Sequence, residues 1–244
     1  MTHSLDALLQ AHLSQLDGLW QRLAPAHAGL DCLSALSWEV YRDKLPPSGE
    51  FSGLRNFHAA SVVIPASVDW IAANAARDLL SLLLIYIEAV RRFYETTEVE
   101  HSELSPQERE IILRERLQRP TLPQDSVNRL NSVLHGGFPA MQELLTIEYV
   151  TKLFMARVAR QELTEPVTLT LCTQTDGSRE DHIGSSHSDI GRLILTVSSV
   201  TELEPSAELL HRIFLTACVI MNELAQTVRI SLGNGQTMPE YISQ

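Results

Sequence analysis

The residues with the clearest chemical use lie between Trp38 and Phe57, where Tyr41-Arg42-Asp43 precedes Leu45-Pro46-Pro47-Ser48-Gly49 and then Phe51, Arg55 and Phe57. A guanidinium such as that of Arg42 pairs with a carboxylate through two charge-assisted hydrogen bonds, and a Ser-Gly loop lets the backbone approach a ligand closely. The plainer use of the same residues is a helix ended by Pro-Pro, with Arg42 and Asp43 on its wet face. Histidines form a second set. His211, in ELLHRIF, has Leu210, Ile213 and Phe214 around it, a setting that suits either a neutral imidazole ligand for iron or a half-buried histidine paired with Glu208. His135, in VLHGGF, offers a second imidazole at a helix C-terminus, where its charge also suits the helix dipole. His12 stands on a first helix ahead of Trp20, and His58 follows the arginine segment, so either could line a pocket. His182 and His187, flanked by Asp181 and Asp189, could hold a divalent ion, although loop histidines without a scaffold are usually plain polar loop.

These side chains must be positioned by helices. Ser4 caps a first helix whose Leu5, Leu8, Leu9, Leu13, Leu16, Leu19, Trp20 and Leu23 recur at helical spacing, and Pro25 is expected to stop it. Ser37 caps a short helix through Leu45, ended by Pro46-Pro47-Ser48-Gly49, and an irregular segment runs on to Pro65. From Ser67, SVDWIAANAARDLLSLLLIYIEAVRRFYE reads as a long central helix, apolar nearly all round in its middle. Ser105-Pro106-Gln107-Glu108 is a capping box opening a charged, peripheral helix to about Arg119. A short helix then ends at Gly136-Gly137, and another spans Pro139 to about Gln161.

The period changes at Val167. VTLTLC and LILTV alternate as strands do, which predicts a hairpin joined by the long Gly-, Ser- and His-rich connection TDGSREDHIGSSHSDIG, read as a loop or lid. Ser206 caps a last helix that runs to Gly233-Asn234-Gly235. The sequence therefore predicts a mainly α fold, a single helical domain over 1–244 with one β-hairpin inserted at about 167–200.

Composition narrows the classes. A net charge of −11 argues against a phosphate-driven grip on nucleic acid or anionic lipid. Cys32, Cys172 and Cys218 are widely spaced, with no CxxC pair, so neither a disulfide framework nor a cysteine zinc site is expected. No signal-like start is present and the apolar run Leu79 to Ile87 is about half a membrane span, so a cytoplasmic protein is expected. Walker, GxGxxG, GxSxG and HExxH motifs are absent.

Tyr41-Arg42-Asp43, Leu45, Pro47, Ser48-Gly49, Phe51 or Ser52, and Arg55 or Phe57 together resemble the region of the tryptophan 2,3-dioxygenase superfamily that reads roughly F-R-D-x-L-x-P-A-S-G-F-Q-S-x-x-F-R, with one deletion. Near the C-terminus, VRISLGNGQTMPEYI is similar to the family's R-x-I-G-x-K-x-G-T-G-G-S-S-G-x-x-Y-L at Arg229, Gly233, Gly235, Thr237 and Tyr241. His12 with Trp20 is similar to the family's H-Q-x-Y-E-L-W-F helix, displaced by about one turn. The position of the family's axial histidine is occupied by Glu223. The resemblance implies a haem-dependent oxygenase acting on an aromatic amino acid or indole-like compound with dioxygen or peroxide, commonly a homo-oligomer. In that scheme Arg42 holds the substrate carboxylate, Tyr41, Phe51 and Trp38 wall the ring, and Ser48 and Thr237 add hydrogen bonds. His12 and His58 line the distal side, while His211, or else His135, ligates the iron.

Three rivals stand beside it. Arg129 to His135 resembles the R-x(4–6)-H motif of HEPN-type ribonucleases, although Asn131 stands one position later than the usual polar residue. Glu98-x-x-His101 and Glu208-x-x-His211, with Glu148, match part of a ferritin-like di-iron set. The last rival is a helical binding module without chemistry.

Overall fold

The computed structural model describes residues 4–35, 60–118, 123–174 and 190–234. They form helices α1 (Leu5–Ala35), α2 (Ala60–Glu100), α3 (Pro106–Gln118), α4 (Pro123–Val133) and α5 (Met141–Val158), strands β1 (Val167–Gln174) and β2 (Ile190–Val197), and helix α6 (Ala207–Asn234). The protein is mainly α with one inserted antiparallel hairpin, as its patterning predicts.

Helix α1 starts where Ser4 accepts the Ala7 N–H at 3.1 Å. It does not stop at Pro25, however, but continues through it to Ala35. A proline inside a helix removes one hydrogen bond and crowds the carbonyl four residues back, which costs about 3 kcal/mol. Tertiary docking opposes that cost: Leu23 is buried, and so is His27, whose Nε2 donates to the Pro205 carbonyl at 2.8 Å just ahead of α6.

Helix α2 is the centre of the packing and meets α1, α4, α5 and α6. Its small and branched residues, Ala72, Ala76, Leu79, Leu83, Ile87 and Val90, are buried, and Tyr86 among them donates its hydroxyl to the Met221 carbonyl of α6 at 2.9 Å. Near its C-terminal end α2 carries a polar seam. Arg91, 3% exposed, donates Nε and Nη2 to Glu88 at 2.8 Å each and Nη1 to Glu95 at 2.5 Å. Ser126 of α4 donates to Glu88 at 2.5 Å and Arg129 of α4 to Glu95 at 3.2 Å, so the seam ties α4 to α2.

The capping box forms as read: Glu108 accepts from the Ser105 N–H at 2.9 Å, and Ser105 Oγ accepts from the Glu108 N–H at 3.4 Å. Helix α3 has no buried residue among those described, which makes it peripheral. After α4 the chain turns through Gly136 and Gly137, both at positive φ. A Cβ on Gly137 would stand 2.9 Å from Asn131 Oδ1, which accepts the Phe138 N–H at 2.8 Å and so closes the turn. Segments Ala66–Glu100 and Ala207–Gly233 are long and apolar enough to cross a membrane, a test that buried core helices also pass.

Strands β1 and β2 pair with Val167 opposite Val197 and Cys172 opposite Arg192. Leu169 and Leu171 turn into the core. The outer edge of β1 is closed by side chains from two helices. Thr146 of α5 accepts the Thr170 N–H at 2.8 Å and Thr216 of α6 accepts the Cys172 N–H at 2.9 Å. Each threonine also donates to its own helix, to the Gln142 and Arg212 carbonyls respectively, so it bridges strand to helix with its single donor and one acceptor lone pair in use.

Candidate functional site

A concavity of about 470 Å³ opens between the hairpin and α6. Helix α6 contributes Val219, Glu223, Gln226, Thr227 and Ile230, whose spacing of four, three, one and three residues puts them on one face. Cys172 of β1 and Ile190 and Arg192 of β2 face them, and Pro139 closes one side. Four of these residues, Val219, Ile230, Ile190 and Pro139, are apolar, so an organic ligand would find both a dry wall and a few polar anchors.

Arg192 is the chief anchor. Its Nε donates to Glu143 at 2.6 Å, and its Nη2 stands 3.9 Å from Glu223. Glu143 is 3% exposed and lies in the first turn of α5. Its hydrogen bond and its charge hold the Arg192 guanidinium still more firmly protonated than usual. Cys172 is a poor nucleophile here, because burial pushes its thiol up to about 11 and the Thr216 contact offsets only part of that. The arrangement offers recognition: a fixed cation, a nearby carboxylate, the amide of Gln226 and the hydroxyl of Thr227.

The residues singled out from the sequence divide into those the structure describes and those it does not. Trp38, Tyr41, Arg42, Ser48, Phe51, His58 and Thr237 lie outside the described residues, as do Asp181, His182, His187 and Asp189. His12 is buried on α1, donates Nδ1 to the Leu8 carbonyl at 2.9 Å and packs 5.2 Å from the Tyr86 ring. His211 is exposed and lies 5.6 Å from the Trp20 ring, while Glu208 pairs with Arg212 instead of with it. His135 is exposed beyond the last turn of α4, and its backbone N–H donates to Ser231 at 3.2 Å. Arg129 is paired to Glu95, and Asn131 serves the Gly137 turn. Glu98 and His101 are both exposed at the end of α2. Among the described residues no three metal-ligating side chains converge.

None of His12, His135 and His211 lines the concavity. The histidine-ligated haem of the family that the sequence resembles needs an imidazole facing an apolar pocket. The described residues by themselves form no such site at this place.

Arg192 and Glu143 escaped the sequence reading. One signal was present: Arg192 is a lone cation in the otherwise apolar strand stretch from Ile190 to Leu195. Its buried partner Glu143 is 49 residues away along the chain. No protein-family model, no curated protein and no solved structure matches this chain.

Proposed function

We propose that this protein binds a small carboxylate-bearing aromatic or apolar molecule, of the aromatic amino-acid or indole-acid class, in the concavity between the hairpin and α6. The observation that carries the reading is Arg192, held through Nε by a buried carboxylate at 2.6 Å while its guanidinium borders a concavity whose lining is part apolar and part polar. An arginine fixed along one edge still offers its Nη donors to an incoming acid. Glu223 also borders this concavity, and because it stands where the oxygenase family that the sequence resembles has its axial histidine, it favours ligand binding over haem at this place.

Haem-dependent oxygenation, with Arg42 holding the carboxylate, is a separate proposal that rests on the resemblance around Trp38 to Phe57. Calorimetry with L-tryptophan, indole-3-propionate and tryptamine tests the binding reading, because the three share a ring and differ in charge. The two carboxylates are expected to bind and tryptamine is not. Equal binding of tryptamine, or no binding of either acid, removes the reading. A Soret band after haem reconstitution would support the oxygenase, and a colourless protein would leave a helical binding module.

A further inference from the structure

The site just proposed depends on where the Arg192 guanidinium points, and the strand alone does not fix that. Arg192 is on β2, its side chain is more than half exposed, and its own strand neighbours Gly191 and Leu193 carry no group to hold it. An arginine in that position samples many rotamers, and ordering it on ligand binding weakens affinity.

Resting on the binding reading, we infer that Glu143 is a positioning residue for the ligand site and that Glu223 is the carboxylate which an incoming acid displaces. Glu143 is buried at the N-terminal turn of α5, and Thr146 on the next turn is fastened to β1. Its carboxylate is therefore fixed relative to the hairpin, and its 2.6 Å bond is made to Nε and to neither Nη nitrogen. Glu223 stands at 3.9 Å from Nη2, beyond hydrogen-bond distance, so it can yield to a ligand oxygen that comes closer. The two glutamates thus act on one arginine with opposite sign: one preorganises it, the other competes for it.

The test uses the full chain and two readouts. In the wild-type protein the Arg192 Hε proton is expected to give a slowly exchanging NMR signal, because it is donated to a buried carboxylate. Glu143→Gln keeps an acceptor oxygen but removes the charge, so it should speed the exchange of that proton and weaken indole-3-propionate binding by about tenfold or more, the usual consequence of losing a charge-assisted hydrogen bond. Glu223→Gln should keep the Hε signal and bind the same probe as tightly as wild type or more tightly. Arg192→Lys keeps the charge without the fork and should lose as much affinity as Glu143→Gln, a control that stands if the glutamate variant fails to fold. Wild-type affinity in Glu143→Gln or Arg192→Lys, or an equal loss in Glu223→Gln, overturns the inference. If the wild type binds no probe at all, the binding reading fails, while Hε exchange as slow in Glu143→Gln as in the wild type separately sinks the positioning role.

Discussion

Helix α2 and the hairpin are both attached to α6, and they are attached by different physics. Along α2 Ala72, Ala76, Leu79, Leu83, Ile87 and Val90 are buried in the core, and among the described residues Tyr86 donates to the Met221 carbonyl of α6. Burial of that kind is non-directional and scales with area, so it resists the loss of any one contact poorly only where a cavity opens. The hairpin adds to its buried Leu169 and Leu171 a set of aimed polar bonds: Thr146 and Thr216 to the strand N–H groups, and Glu143 to Arg192. Aimed bonds set register and orientation more than they set stability. The concavity proposed as the ligand site borders the second kind of contact, where orientation matters most.

That contrast can be broken at either end. Leu83→Ala, at a fully buried position of α2, is expected to cost about 2–5 kcal/mol in a denaturant titration. Thr216→Val leaves the Cys172 N–H without its acceptor and should cost about 1–3 kcal/mol. If it cost as much as Leu83→Ala, the distinction between the two seats would dissolve.

A pH titration sharpens it at the α2–α4 seam. Burial pushes the Glu88 carboxyl up, but hydrogen bonds from Arg91, Ser126 and Arg92 outweigh this and hold it down at about 2. A depressed carboxylate adds stability that is full above its unfolded pKa, about 4.3, and is lost as the pH falls from there towards 2. Glu88→Gln should flatten that part of a melting-temperature profile between pH 5 and pH 2, and an unchanged slope would contradict the assignment. The smallest effect is expected at the exposed pair of Asp6 with Arg229, where Arg229→Gln should change stability by about 1 kcal/mol at most, and less in high salt.

What the sequence made legible follows from the range of each interaction. The capping box at Ser105 and the alternation of Val167, Leu169 and Leu171 are local signals, and both elements form where they were read. The stop at Pro25 was also a local signal, but it was overridden by packing and by the contact of His27 with Pro205, 178 residues away. The threonine bridges span 24 and 44 residues and the Arg192–Glu143 bond spans 49. Nothing in the periodicity of a helix marks which of its threonines will meet a strand edge. For the candidate site the sequence reading centred on Arg42, which lies outside the described residues, whereas the arginine bordering the described concavity is Arg192, whose buried partner is distant along the chain.

The threonine bridges have one more consequence. A two-stranded sheet normally has two open edges, and either can recruit a foreign strand. On β1 the outward N–H groups of Thr170 and Cys172 are already taken by helix hydroxyls, so that edge cannot template growth without unseating α5 and α6. Strand addition, whether useful or the first step of aggregation, is thereby confined to the β2 side, where Ile194 is 68% exposed and a single charged substitution would act as a gatekeeper.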